Sequence, residues 1–315
     1  MKDGLSQPFD AYVTAGCTSA DLDLATVVGH PAALRIATGR PDQPFAVWSG
    51  IVAEMEQVSI EEDGLSIYAL RIVPMLWRCK QRRNHRVFQH LSTPEIVRDL
   101  LAEWGIAVVF RLDEARFPRH EYRVQFGESD FAFVCRLLEE EGISYLLEQV
   151  DPSGNEKDED EPPEEQELPS MHLVLTELPA QTGHRFEAPI PYKGNTEELH
   201  GDIPWITKVR IGRSVRPGRF TVGSYDYRSS PELRLLSEAR AGYELEERYE
   251  HYCYIPGAFL AEPRPDDEDP SKTEDRFRGP GAQVDEELGK RQAQVGLERI
   301  RSRQRQLVML SLIHI

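Results

Sequence analysis

The side chains best able to do chemistry here are scattered histidines, two sets of carboxylates and one compact group of cations. His85 and His90 stand five apart in RRNHRVFQH, a spacing that could hold a metal ion if a carboxylate or third histidine joined them. Their neighbours are arginines, which repel a cation, so a structural role is expected. His120 beside Glu121, and His200 near Asp202, lack a third partner at a useful spacing. Glu139, Glu140 and Glu141 could serve as a general acid–base cluster, but at the end of a helix they read as a solvated face. The stretch 151–167 holds nine acids against one lysine. It lacks the alternating Asp/Asn spacing and central glycine of a calcium loop. With prolines and almost nothing apolar, it reads as a disordered acidic loop, and 263–281 reads as a second exposed loop. Cys17, Cys79, Cys135 and Cys253 lie far apart, without C-x-x-C spacing, and are expected to be buried reduced thiols. No G-x-S-x-G, H-E-x-x-H, P-loop or G-x-G-x-x-G pattern occurs. The residues therefore assign no catalytic, cofactor-binding or metal-binding site, and an enzyme is not expected.

The cations Lys80, Arg82, Arg83 and Arg86, flanked by Trp77 and Phe88, could contact phosphate. The chain as a whole carries 37 Lys and Arg against 54 Asp and Glu, a net charge of −17. That balance argues against nucleic acid, which needs a basic surface; in an assembly protein such a cluster is expected to pair with acids on an adjacent subunit. At 315 residues the chain is long enough for two domains. No run approaches the roughly 18 apolar residues of a membrane span, so stable membrane insertion is not expected. The first ten residues lack the apolar core of a secretory signal, which implies synthesis in the cytoplasm.

The elements that must position these residues are mostly strands. The 46–60 segment places Val47, Ile51, Ala53 and Met55 on one side of a strand, and 65–74 places Tyr68, Leu70 and Ile72 on one face. The intervening Glu61-Glu62-Asp63-Gly64 predicts a hairpin turn with Gly64 at positive φ. A shorter strand is expected over 32–37, and such closely spaced strands suggest a barrel or sandwich. Ser92 to Gly105 predicts a capped helix with Pro94 in its first turn and a stripe of Ile96, Val97, Leu100, Leu101 and Trp104. A second helix, 129–141, presents Phe131, Val134, Leu137 and Leu138 and stops at Gly142, and a strand returns over 143–148. Further strands are expected at 171–176, 205–212 and 220–227, followed by a polar helix over about 285–305.

Residues 122–147 read YRVQFGESDFAFVCRLLEEEGISYLL, which strongly resembles the signature of the VgrG family, the spike proteins of type VI secretion systems. The similarity extends upstream through 70–106 and continues more weakly through FTVGSYDY at 220–227 and the final helix. The signature residues are Gly127, Glu128, Ser129, Asp130, Phe131, Arg136, Leu137, Leu138, Glu139, Glu140 and Gly142. Their expected roles are structural: Gly127 breaks a strand, Ser129 and Asp130 cap a helix, and Phe131, Leu137 and Leu138 enter a core. The resemblance implies an α+β, mainly β fold like that of phage tail hubs, with two barrel-like domains and an inserted helical region. It implies a homotrimer whose six barrels seat a trimeric spike on a hexameric tube protein, with baseplate components and secreted effectors as further partners. Made in the cytoplasm, such a protein leaves through the type VI apparatus itself. The baseplate hub of a contractile phage tail or related injection particle is the alternative.

The expected organisation is a first barrel-like domain over 1–90, an α+β region over 91–150 and the acidic loop over 151–169. A second barrel-like domain over 170–309 is expected to be incomplete, because full-length family members continue into closing strands, a further barrel and a β-helix needle. Some members also carry toxic enzymatic extensions. The last six residues, 310–315, match the translation of a sequencing adapter and are set aside as an expected artefact.

Overall fold

The computed structural model describes residues 2–19, 21–37, 45–61, 64–149, 171–177, 192, 205–226, 234–242, 244–261 and 283–312. The segments 151–167 and 263–281, and the pair His200 and Asp202, lie outside the described residues. The fold is mainly β, with three α-helices among the described residues.

Strands β1 (Lys2–Gly4), β2 (Gln7–Cys17), β3 (Pro31–Ala37), β4 (Phe45–Ile60) and β5 (Ser66–Val73) make an antiparallel sheet in the order β1-β2-β5-β4-β3. Gly64 takes φ +85° in the β4–β5 turn, as the turn residues require. Tyr68 and Ile72 are buried on one face of β5, as alternation predicts. On β4 the expected face holds in part: Ile51 is buried and Met55 lies opposite Leu70, but before them Ala46 and Trp48, of the opposite parity from Val47, pack on the core. A register shift between Val52 and Glu54 breaks the alternation that the reading relied on. In the middle of the sheet Arg71 makes a two-pronged contact with Asp10 at 2.8 and 2.9 Å and reaches Glu54 at 2.6 Å, joining three strands.

The α+β region contains a 3₁₀ turn (Met75–Lys80), β6 (Arg83–Leu91), α1 (Thr93–Ala102), β7 (Val108–Arg111), β8 (His120–Ser129), α2 (Asp130–Glu141), β9 (Ser144–Gln149) and β10 (Met171–Thr176). Ser92 caps α1 in a complete capping box with Glu95, and Gly142 closes α2 at φ +72°. Ile96, Val97, Leu100 and Leu101 meet Val134, Leu137 and Leu138 in the largest core. Phe133, absent from the expected stripe, is fully buried there, whereas Phe131 is only half-buried.

Two expected boundaries move. A cut at residue 90 would run through β6, which pairs with β8. A cut at 170 would remove β10, which lies between β7 and β9 and puts Leu173 and Leu175 into the α1–α2 core. Long-range strand pairing buries these residues, and no local signal reports it.

The remaining elements are β11 (Trp205–Arg213), β12 (Arg219–Ser224), β13 (Leu235–Arg240), β14 (Glu250–Tyr254), β15 (Leu260–Ala261), β16 (Gln283–Val284), α3 (Glu286–Arg301) and β17 (Arg305–Leu312). Helix α3 packs on the sheet β13-β12-β14 around a separate core of Phe220, Val222, Phe259, Ala293 and Leu297. Among the described residues none of the six sheets closes on itself, so the barrels expected above are here open sheets. Strand β17 reaches Leu312 and pairs with β11, so 310–312, set aside above, adopt strand geometry.

Candidate functional site: a buried aspartate at the head of helix α2

Among the signature residues, Asp130, the first residue of α2, gathers the densest polar network, its partners coming from outside the signature. Its side chain is fully buried. One oxygen, Oδ2, accepts from Arg82 Nε at 2.6 Å and from the Trp104 indole N–H at 2.9 Å. The other, Oδ1, accepts from Arg86 Nη2 at 3.0 Å and Gln125 Nε2 at 2.8 Å. Glu103, just past α1, binds both arginines from the outside. The network therefore ties β6, β8, α1 and α2 together at one point. Burial works to raise the Asp130 carboxyl. The hydrogen bonds from Gln125, Trp104 and Arg82, with the Arg86 charge, outweigh it and hold the group below its ordinary range.

The backbone around Asp130 is built for this placement. Gly127 sits at φ +63° where β8 carries one residue more than β6, a bulge that glycine accommodates without strain. The Ser129 hydroxyl accepts from the Ala132 N–H and caps the helix, while Asp130 N–H donates to Arg82 O. Asp130 thus does not share the capping role expected of it; its carboxylate faces inward. Arg136 donates to Glu128 at 2.6 Å and to Glu140 at 3.0 Å, clamping α2 to the end of β8. Phe131 lies under the Lys80 ammonium, 4.7 Å from the ring centroid. Leu137 and Leu138 are core residues, as expected.

Three expectations need correction. The cations Arg82 and Arg86 pair with Asp130 and Glu103 of the same chain, so the expected contact with an adjacent subunit is not what satisfies them. The glutamate triplet is not one solvated face. Glu139 is exposed and Glu140 is half-buried beside Arg123 and Arg136, but Glu141 is buried. His120 does have partners: its Nε2 lies 3.6 Å from Glu141 Oε1 and 3.2 Å from Arg123 Nη2. Helix α2 brings Glu141 to His120 from 21 positions away, a distance that local spacing cannot report. Of the cysteines, all unpaired, only Cys79 is fully buried; burial pushes its thiol up to about 12 and that of half-buried Cys135 up to about 11.

Chemically, the four donors on Asp130 use the acceptor positions that a substrate proton or a cation would need. The arrangement holds elements in place rather than turning over a substrate. Among the described residues, no three His, Cys, Asp or Glu side chains gather closely enough to hold a metal ion.

The phage tail baseplate hub (GPD) family model matches residues 2–311, nearly the whole chain. The chain belongs to the baseplate hub family. Among curated relatives of this hub, the Pseudomonas aeruginosa type VI secretion system spike protein VgrG4b is 30% identical over 82% of the chain. VgrG5 of the same organism is 27% identical over 74%. The chain spans only 29% and 27% of those two proteins. Among solved structures, an E. coli component of the type VI secretion system, described as similar to the T4 bacteriophage tail proteins gp27 and gp5, matches with a TM-score of 0.52. It is 20% identical, over 68% of this chain and 51% of that one, and supports the hub-like fold.

Proposed function

We propose that this chain is the hub section of a type VI secretion spike, a trimeric and non-enzymatic adaptor between a hexameric tube and the spike tip. The observation that carries the reading is the similarity to spike proteins such as VgrG4b across 82% of the chain, within a family of baseplate hubs. The Asp130 network supports the structural role, because its polar groups are spent on each other. In this reading three full-length chains form the hub, baseplate components and effectors attach to it, and nucleic acid does not. The protein is made in the cytoplasm and leaves with the expelled tube.

Deleting the coding sequence in the organism that carries it tests the proposal. Release of tube protein into the medium and killing of neighbouring cells should both be lost, and light scattering should give a trimer for the full-length protein. Unchanged tube release and killing, with loss of phage-tail particles instead, would move the chain to a phage baseplate.

A further inference from the structure

Helix α3 has two working faces. One lies on the sheet β13-β12-β14, where Leu288, Ala293 and Leu297 are buried. Gly289 and Gly296 let the rings of Phe259 and Phe220 against the helix, since a Cβ there would stand 2.0 and 2.3 Å from ring carbons. The other face carries Arg291, Val295 and Arg299, spaced four apart and therefore in one stripe. This stripe meets the C-terminal end of α2, the Glu-Glu-Glu-Gly tail of the signature.

The contact is specific at each step. Arg291 donates to the carbonyl oxygens of Glu141 and Arg116, both at 3.2 Å, and its guanidinium lies 4.5 Å over the Phe117 ring. The same group stands 3.4 Å from Glu141 Oε2 and 3.6 Å from Glu177 Oε1. One turn on, Val295 packs over Gly142, where a Cβ would meet it at 3.2 Å. Another turn on, Arg299 reaches Glu139 at 3.8 Å. Glu141 itself is buried, and neither carboxylate oxygen accepts a well-aligned hydrogen bond among the described residues, the Arg291 guanidinium standing 3.4 Å off. Its charge is balanced through space by Arg291 and Arg123. Among the described residues the cores on the two sides share no buried residue, and a cleft of 440 Å³ beside Gly142 and Val295 leaves the seam incompletely filled.

We infer that the Glu139–Gly142 tail is the socket for helix α3, and that Arg291 against buried Glu141 is a charge-locked joint coupling two otherwise separate cores. A carboxylate buried without hydrogen bonds is tolerated only while a counter-charge faces it. Remove Arg291 and the Glu141 carboxylate must draw in water or lose its charge. The seam then parts while each core keeps its own packing.

Native-state hydrogen exchange on the full chain reads this directly. Arg291→Met should speed exchange in α3, β12 and β13 by about tenfold or more, and leave α1 and α2 core amides unchanged. Equal acceleration in both halves, or in neither, would overturn the joint. Arg291→Lys, the milder change, keeps the charge but loses the fork and the stacking. It should accelerate the same segments by a smaller factor, and acceleration spread over both halves would again overturn the proposal. The double variant Glu141→Gln with Arg291→Met removes the uncompensated charge. It should recover part of the lost protection, whereas additive losses would show that charge balance does not hold the seam.

Discussion

Helix α2 buries a carboxylate at each end, and the molecule satisfies the two in opposite ways. Asp130 accepts four hydrogen bonds from four directions. Glu141 accepts no well-aligned hydrogen bond among the described residues and faces the Arg291 charge at 3.4 Å. Hydrogen bonds are short-ranged and directional, so the Asp130 end is pinned in one geometry. Coulomb attraction falls slowly with distance, so the Glu141 end can hold its partner helix while tolerating movement. One helix therefore offers a rigid anchor to the core that formed it and an adjustable contact to the next.

The largest expected effect comes from breaking the anchor. Asp130→Ala leaves two arginines, an indole N–H and a glutamine without their acceptor. Removing one partner of a buried pair costs about 3–5 kcal/mol, and the lower end applies because Arg82 keeps some access to water. Chemical denaturation should show it; a loss below about 1 kcal/mol would mean the network adds little beyond a surface pair. Leu137→Ala, in the apolar half of the same core, should cost about 2–5 kcal/mol and tests whether packing or the network dominates. On the other side of the seam, Gly296→Ala places a methyl against the Phe220 ring. Overpacking of this kind costs about 1–3 kcal/mol, and thermal unfolding should register it.

The acid limb of stability sharpens the comparison further. Both carboxyls are held below their ordinary range, Asp130 by hydrogen bonds and charge against burial, Glu141 by His120, Arg291 and Arg123 against stronger burial. A depressed folded pKa stabilises above the unfolded value, about 3.9 for Asp and 4.3 for Glu, and that contribution is lost as pH falls through the folded one. The thermal midpoint should stay level from about pH 8 to 5 in respect of these two groups and drop below about pH 4. Asp130→Asn should shrink that drop; an identical acid limb in the variant would show that other carboxylates carry it. The smallest effect belongs to exposed pairs such as Arg98 with Glu114, each about two-fifths exposed, where Glu114→Gln should cost under about 1 kcal/mol.

Local chemistry made much of the signature region readable. Ser92 with Glu95, Ser129 before the second helix and Gly142 after it mark their boundaries because a cap binds backbone groups within three residues of itself. Gly64 marked its turn for the same reason. Periodicity placed Leu100 and Leu137 in a core, yet it missed Phe133 and misplaced the first part of β4, since one parity cannot hold on both sides of a register shift. The sheet order, the seat of β10 and the open rather than closed sheets lie beyond it, since they depend on pairs far apart in the chain.

What the sequence determined by itself, then, is the set of caps, turns and apolar stripes, together with the signature that marks a hub. Each is a property of residues within one or two turns of one another. Only the tertiary structure decided what the charges do. Arg82 and Arg86 acquire their meaning from Asp130, more than forty positions away, and Glu141 from Arg291, 150 positions away. A charge reads as solvated until the fold brings a partner to it, because burial and counter-charge arrive only when distant elements pack.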